Sequence, residues 1–395
     1  MKRVVVGVTG SSAAYKAARL VSILSEKFEV KVVLTPSACK FVGKALFYRK
    51  GNGAGGCREV YTDEDWWNIP FLHLELAEAD EFVIAPCTVN TYRKFASGIT
   101  DNLLLAAASA FSAKKDVVIA LSANENLLNS KNFVLTAEGC FVIRPSVGRL
   151  ACGKIGLGRM VEPEEIAEFL MLDVNRFDDA CNYHVVVTAG ATKTYIDTVR
   201  YITNSSSGEL GRLIALSAFK AGFDVTLVTA GKELQSVETL KVETASEMLK
   251  AVLGIFESAR KAGKSVIYIS TAAINDYRVK EPFSKKIKKS ENPVLRLELI
   301  PEVDVLKEVF SIKQRGDVFV GFSLRDEIDE ETAYEKMRKK GLDIVVANVL
   351  SNMGDGADKS FVARVLFTEG AGVDFAGTKL EFASFFVNSL IDVLK

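Results

Sequence analysis

The sequence predicts an α/β protein built from two doubly wound units in series. Three observations carry that expectation. Short β-branched runs alternate with helical stretches along the whole chain. The runs are apolar throughout rather than alternating, as strands covered on both faces of a parallel sheet should be. The strand–helix rhythm also starts twice, once in VVVGVTG at the N-terminus and again in VVVTAG after residue 180. At roughly 100–200 residues per domain, 395 residues accommodate two such units.

In the first unit Arg3–Val8 reads as a strand, Ala13–Lys27 as a helix and Val30–Leu34 as the next strand. Phe82–Ala85 and Asp116–Leu121 supply further buried strands, and Glu164–Leu172 reads as a closing helix. The polar segment Asp173–Tyr183 then separates the units. The boundary falls near residue 180, giving domains at 1–175 and 182–395. The second unit has strands at His184–Thr188, Val225–Val228, Val266–Ser270, Val318–Phe322 and Ile344–Ala347. Its helices are expected at Gly208–Ala221 and Ser246–Arg260. Tyr277–Pro293, rich in Lys, Pro and Ser, is expected to be a mobile loop. The last residues, SFFVNSLIDVLK, read as an amphipathic helix.

Composition excludes several functions. The chain has 50 basic and 50 acidic side chains, so it lacks the basic excess needed to coat nucleic acid or an anionic membrane. No apolar run approaches the ~18–20 residues that span a bilayer. The start, MKRVVVGVTG, reads as a strand rather than a signal peptide. A cytoplasmic protein with no nucleic-acid or membrane partner is therefore expected. The six cysteines form no Cys-x-x-Cys pair, and only His73 and His184 stand beside them. Neither a zinc site nor a disulfide framework is expected. Any imidazole chemistry must use one of those two histidines.

Small-residue loops follow the strands of the first unit. Gly7-Val-Thr-Gly-Ser-Ser-Ala-Ala14 lets the backbone approach a phosphate at a helix start. Its spacing is not Gly-x-Gly-x-x-Gly, and Thr35-Pro-Ser37 stands where a dinucleotide site needs an acidic residue. A dehydrogenase is thus a weak alternative. Ala85-Pro-Cys-Thr-Val-Asn-Thr91, Gly98-Ile-Thr-Asp-Asn-Leu-Leu104 and Leu150-Ala-Cys-Gly-Lys-Ile-Gly-Leu-Gly-Arg-Met160 follow.

Through these segments residues 1–170 resemble the phosphopantothenoylcysteine decarboxylase half of the bifunctional coenzyme A biosynthesis family. The resemblance implies a flavodoxin-like, Rossmann-type FMN-binding domain. FMN would be held by Gly10, Ser11, Ser12, Thr35, Ser37, Pro86, Thr88 and Asn90. The family's His-x-x-Leu-Ala-like segment falls on Phe71-Leu-His-Leu-Glu-Leu-Ala77, which makes His73 the implied base or positioner. The Pro-x-Met-Asn motif aligns with Leu121-Ser-Ala-Asn124, so Asn124 would hold the substrate carboxylate, although the proline and methionine are replaced. Cys152, in the loop aligned with the family's substrate clamp, would protonate the ene-thiol. The altered motif keeps open an alternative in which this half is only an FMN-binding platform. A regulatory, non-enzymatic relative would carry an acidic tail, unlike this C-terminus.

The second unit holds the most specific stretch, Val187-Thr-Ala-Gly-Ala-Thr-Lys-Thr-Tyr-Ile-Asp-Thr-Val-Arg-Tyr-Ile-Thr-Asn-Ser-Ser-Ser-Gly208. One serine suffices for a helix cap; three before a glycine suit phosphate oxygens. Residues 184–390 resemble the phosphopantothenate–cysteine ligase half of the same family, a second Rossmann-like α/β domain. Thr271-Ala-Ala-Ile-Asn-Asp-Tyr-Arg278 corresponds to its nucleotide segment and Lys286-Ile-Lys-Lys289 to its lysine loop. The resemblance assigns Lys286, Lys288 and Lys289 to a triphosphate, and Arg200 and Asn204 to the acyl intermediate. It places Ser206, Ser207, Gly208, Ala272, Ala273, Asp276 and Phe322 around the nucleotide and substrate. Asn275 replaces the usual alanine, and Lys193-Thr-Tyr195 the usual Arg-Glu-Pro.

The implied reactions join 4'-phosphopantothenate to L-cysteine through an acyl-cytidylate, then decarboxylate the product to 4'-phosphopantetheine. CTP is expected over ATP. Mg²⁺ would ride on the nucleotide phosphates, so no protein metal ligands are assigned. The family also implies a homo-oligomer, with trimers of the first half and dimers of the second closing into a dodecamer.

Overall fold

The structure is a computed structural model that describes residues 1–48, 57, 59–131, 133–135, 137–150, 153–288, 294–368 and 371–395. The chain divides into two compact units, Met1–Leu170 and Met171–Lys395.

The first unit is a six-stranded parallel sheet: β1 (Lys2–Val8), β2 (Phe28–Leu34), β3 (Glu59–Tyr61), β4 (Glu81–Cys87), β5 (Val117–Leu121) and β6 (Cys140–Ile143). The spatial order is β3-β2-β1-β4-β5-β6, the Rossmann-type order of a doubly wound sheet. Covering it are α1 (Lys16–Leu24), α2 (Asp63–Asn68), α3 (Leu72–Ala77), α4 (Val89–Ala96), α5 (Leu103–Ser112), α6 (Glu125–Leu128) and α7 (Pro163–Met171). A separate antiparallel hairpin, β7 (Ser146–Arg149) with β8 (Ile155–Arg159), stands after β6. β1 and β5 are buried almost end to end, as their apolar runs predict. Helix α1 starts three residues later than its apolar pattern suggests, because Ser11 to Tyr15 form a tight turn first.

The second unit repeats the plan. Its large sheet comprises β9 (Tyr183–Ala189), β12 (Asp224–Thr229), β13 (Glu238–Lys241), β14 (Ser265–Ser270), β17 (Val318–Arg325), β18 (Ile344–Val349), β19 (Ser360–Phe367) and β20 (Val373–Thr378). Two small ladders, β10 (Lys193–Tyr195) with β11 (Tyr201–Thr203) and β15 (Tyr277–Val279) with β16 (Leu299–Pro301), stand apart from it. The order β13-β12-β9-β14-β17-β18-β19-β20 is parallel through β18 and antiparallel beyond. Its helices are α8 (Glu209–Lys220), α9 (Ala245–Lys261), α10 (Val305–Phe310), α11 (Glu330–Lys340) and α12 (Lys379–Leu394). Phe256, Tyr268 and Phe319 meet edge to face under α9, with centroids 5.5–5.9 Å apart. No helix among the described residues is long and apolar enough to cross a membrane.

The segment after residue 172, which separates the units, is anchored through its backbone. Asp173 N–H donates to Ser384 Oγ at 3.1 Å and Asn175 N–H to Asn388 Oδ1 at 2.9 Å, both on α12. Phe177 packs against Tyr183 and Phe223. The backbone is docked onto a helix while most of the polar side chains stay exposed. Tyr277–Val279, expected in a mobile loop, is strand β15, since its backbone pairs with a distant partner no local pattern announces. Residues 289–293 of that stretch lie outside the described residues.

Asp317 fastens the centre of the second sheet. Its carboxylate accepts from the N–H of Val266 and of Gln314, each at 2.8 Å, and from the Arg260 guanidinium. Burial opposes the charge, but Arg260 and the two N–H groups hold the carboxyl below its ordinary range. Replacing Asp317 by Ala strands Arg260 and should lower unfolding stability by about 3 kcal/mol in a urea titration. A carboxyl depressed on folding stabilises above its ordinary value of 3.8 and loses that contribution as pH falls below it. Asp317→Ala should therefore show a shallower loss of stability in acid than the parent chain.

Candidate functional site

In each sheet the strand order reverses beside the first strand, and the loops leaving the adjacent carboxyl ends splay to open a crevice. The first crevice lies between β1 and β4. Thr9, just past β1, donates to the Pro86 carbonyl from its N–H at 3.2 Å and from Oγ1 at 2.7 Å. Its Oγ1 in turn accepts from Thr88 N–H at 3.0 Å. Thr35 N–H donates to the Val8 carbonyl at 3.1 Å, which draws the loop after β2 alongside. A Cβ on Gly10 would stand 2.5 Å from Ser37 Cβ, so only glycine lets these loops close. Ser11 Oγ lies 3.0 Å from Ser122 Oγ, beyond β5. Thr88 caps α4 by accepting from Thr91 N–H at 3.3 Å. Gly10, Ser11, Thr35, Ser37, Pro86 and Thr88 are thus gathered at one end of one sheet, with Ser12 and Asn90 exposed beside them. Their donors are neutral hydroxyls and backbone N–H groups, a set that fits a phosphate monoester.

Asn124 begins α6, where its Oδ1 accepts from Asn126 N–H at 3.0 Å. The β7–β8 hairpin docks beside it, since Ala123 N–H donates to the Gly158 carbonyl at 3.0 Å. That hairpin carries the loop 150–154, closed by Leu150 N–H on the Lys154 carbonyl at 2.8 Å. Cys152 itself lies outside the described residues. His73 is not brought to this cluster. It sits half-buried on α3, and its Nδ1 accepts from Trp66 Nε1–H at 3.2 Å. Cys87 is buried, which pushes its thiol far up and leaves it inert.

The second crevice, between β9 and β14, holds a cavity of 540 Å³. One wall is the start of α8: Ser206, Ser207 and Gly208. The other is 270–276, including Ala272, Ala273 and Asp276, and Phe322 lines it from β17. Gly208 has φ +75° and lies against Gly190, where a Cβ would come within 2.7 Å of backbone N. Asn204 stands at the rim, donating from Nδ2 to the Ala273 and Ile274 carbonyls at 3.3 and 3.2 Å. Asn275 is buried, and its Nδ2 donates to the carbonyls of Thr192 and Ile202 and to Thr194 Oγ1. The departure from alanine therefore staples the β10–β11 hairpin to the cavity wall. Lys193 and Tyr195 find their own partner in Glu243, at 2.7 and 2.5 Å.

The lysine loop does not line this cavity. Lys286 and Lys288 are exposed, and Lys289 lies outside the described residues. Arg200 is also away from the lining. Asp197, with its side chain buried, ties these groups together. It accepts from the N–H of Val199 at 2.7 Å, of Arg200 at 2.8 Å and of Ile287 at 3.0 Å. Arg200 Nη1 adds an ion pair at 2.5 Å. The Ile287 N–H, the other backbone N–H groups and Arg200 hold the Asp197 carboxyl at about 2.

The cations that do line the cavity are Lys336, Lys340 and Lys379. Lys336 Nζ donates to the Phe322 carbonyl at 2.5 Å, and burial pushes its ammonium below the ordinary lysine range. Lys379 Nζ donates to the Gly354 carbonyl at 2.5 Å and is lowered by burial in the same way. Asn348, at the end of β18, lines the cavity with a buried Oδ1 that has no hydrogen-bond partner. Sequence reasoning missed Asp197, Lys336, Lys340 and Lys379. The only available signal was the i, i+4 spacing of Lys336 and Lys340, which in EETAYEKMRKK looks like a solvated helix face.

The family model described as DNA/pantothenate metabolism flavoprotein C-terminal domain matches residues 181–393. The model described as Flavoprotein matches residues 1–175. The chain is 35% identical over 389 residues to the coenzyme A biosynthesis bifunctional protein CoaBC of Bacillus subtilis (strain 168), covering 93% of this chain and 91% of that protein. It is 33% identical over 402 residues to the protein of the same name from Haemophilus influenzae, covering 99% of this chain and 97% of that one.

Asp197→Asn should loosen Ile287 without unfolding the unit, read as a lower protection factor of the Ile287 amide in hydrogen exchange. The sign follows from a carboxyl depressed to about 2 from an ordinary 3.8. Protection in the parent chain should hold above that ordinary value and fall as pH drops toward about 2.

Proposed function

The chain belongs to the family of bifunctional coenzyme A biosynthesis proteins, a decarboxylase and a ligase in one polypeptide, and from that premise we propose how its two crevices divide the work. The second crevice makes the amide. The carboxylate of 4'-phosphopantothenate attacks the α-phosphate of a nucleoside triphosphate and releases pyrophosphate. The amino group of L-cysteine then displaces the nucleotide. A carboxylate is a poor acyl donor because oxide would have to leave; the acyl phosphate removes that obstacle.

The observation that carries this reading is the composition of the 540 Å³ cavity: a serine-rich helix start on one wall, Lys336 and Lys379 around it with Lys340 paired to Asp304, and the unpartnered Asn348 Oδ1. Preorganised N–H groups and desolvated ammoniums neutralise charge that shifts during attack. Mg²⁺ travels on the phosphates. Asn204 at the rim faces the acyl intermediate. Arg200, Lys286 and Lys288, tethered together by Asp197, form a separate basic lobe, which suits a second subunit's cavity in a dimer. CTP is the expected nucleotide.

The first crevice, in the flavoprotein half, takes FMN through Gly10, Ser11, Thr35, Ser37, Pro86 and Thr88. When bound, FMN supplies a hydride acceptor, which gives the decarboxylation an electron sink that a cysteine carboxylate alone lacks. Asn124 holds the substrate carboxylate, and the Cys152 hairpin beside it closes over the substrate and returns a proton. Among the described residues His73 has no hydrogen bond to these loops, so a neighbouring subunit would complete the site. The exposed Trp67, Phe71 and Leu74 beside it support a trimeric contact there.

Two assays test the division. Purified protein should release cytidylate from CTP only when phosphopantothenate is present, and more slowly with ATP. Lys336→Gln should raise the nucleotide KM roughly tenfold, the value of one hydrogen bond to a charged group, and leave CO₂ release from phosphopantothenoylcysteine intact. His73→Asn should do the reverse, abolishing CO₂ release and sparing ligation. Loss of both activities in either variant would contradict separate sites.

A further inference from the structure

The contact between Trp66 and His73 decides which ring nitrogen of the histidine holds its proton. An indole N–H can only donate, so at 3.2 Å Trp66 Nε1 donates and His73 Nδ1 accepts. A neutral imidazole whose Nδ1 accepts carries its hydrogen on Nε2. Among the described residues Nε2 has no hydrogen-bond partner, which leaves its N–H for substrate. We propose that Trp66 is a positioning residue that locks His73 as the Nε2–H tautomer, so that His73 meets its substrate as a hydrogen-bond donor rather than as a general base. This rests on the reading of His73 as part of the decarboxylase site.

The lock is built from both sides. Helix α2 starts with a capping box in which Thr62 N–H donates to Asp65 Oδ2 at 2.7 Å. Asp63 Oδ1 accepts from Leu103 N–H at 3.0 Å, fastening α2 to the start of α5. Helix α3 packs on the same α5 through buried Leu72 and Leu76. Between them the chain turns at Phe71, whose φ of 59° is the only positive value at a described non-glycine residue. That turn brings His73 back against Trp66, with ring centroids 5.8 Å apart and planes at 67°. Trp67 also stacks on Trp66, with ring centroids 5.5 Å apart. The indole is therefore placed by two helices with one common support.

The chemical consequence is specific. To act as a base at Nε2, His73 would have to carry its proton on Nδ1, where the indole N–H already stands. As a donor it needs no rearrangement, and Nε2–H can bond to the carboxylate or thiolate of a cysteine-derived substrate. Such a charge-assisted bond is stronger than a neutral one.

The chain's two histidines make the tautomer directly readable. Long-range ¹H–¹⁵N spectra of the ¹⁵N-labelled full-length flavoprotein should show two imidazoles, with His73 assigned by its loss in His73→Asn. The expected parent spectrum has His73 protonated on Nε2 alone. Trp66→Phe should introduce the Nδ1–H form and lower kcat for CO₂ release roughly tenfold, with KM changed less. Trp66→Gln, which restores an N–H donor, should recover the Nε2–H form. His73→Gln offers an N–H near the Nε2 position and cannot act as a base, so it should retain far more activity than His73→Asn. An Nδ1–H histidine in the parent chain overturns the proposal without needing any variant to fold. Equal inactivity of His73→Gln and His73→Asn overturns the donor role. Full activity of His73→Asn would instead remove His73 from the site, a failure of the parent reading that leaves the spectrum to judge the tautomer.

Discussion

A parallel sheet has one place where its covering helices must part. Where the strand order reverses, the loops leaving two adjacent strands run to opposite faces, and the backbone N–H groups at those carboxyl ends face a gap. This chain makes that gap twice, between β1 and β4 and between β9 and β14. Most of the candidate site groups are arranged around those two crevices, with His73 and the Arg200 lobe standing apart from them. Thr9 holding Pro86 and Thr88 narrows the first. Gly208 lying on Gly190 narrows the second, because any side chain there would collide with backbone.

The two crevices are furnished differently. Hydroxyls and N–H groups dominate the first, a neutral set that can bind a single phosphate. The second adds ammonium groups removed from water. Burial of Lys336 and Lys379 is unfavourable for their charge, and each is held by a backbone carbonyl, Phe322 and Gly354 respectively. Glu209, Asp276, Glu302 and Asp304 line the same cavity, but among the described residues neither ammonium has a carboxylate in direct contact, so a polyanion could pair with them. The basic lobe of Arg200, Lys286 and Lys288 is organised by different means, a single buried carboxylate at Asp197 that joins two loops 90 residues apart in sequence.

Much of this was legible in advance where the signal is local. Unbroken apolar runs marked the buried strands, and small-residue loops after them marked the crevices. Ser206, Ser207, Gly208, Ala272, Ala273, Asp276 and Phe322, far apart in sequence, all line one cavity. The lysine loop shows the limit of such reading. Lys286 and Lys288 were visible as a charge cluster, yet they stand apart from the cavity of their own chain, while Lys336 and Lys340 line it from a helix that looked solvated. A lysine's sequence neighbours say little about its surroundings, because a long side chain takes its environment from whatever element folds over it. Asn275 is a similar case. It departs from the family's alanine, and only the three acceptors around its amide show why it fits.

The sequence by itself determined the class of fold, the two-unit plan and the loops that meet at each crevice, since these follow from strand periodicity and from glycine and serine at fixed offsets. Tertiary structure alone decided which charges enter the second crevice, how Asp197 joins two loops, and that the polar stretch after residue 172 is docked on α12. It also decided the state of His73. Trp66 lies only seven residues away, but it takes the turn at Phe71 and the shared support of α5 to aim an indole N–H at one ring nitrogen. Which nitrogen keeps the proton is a matter of direction in space, and direction is what a linear pattern does not carry.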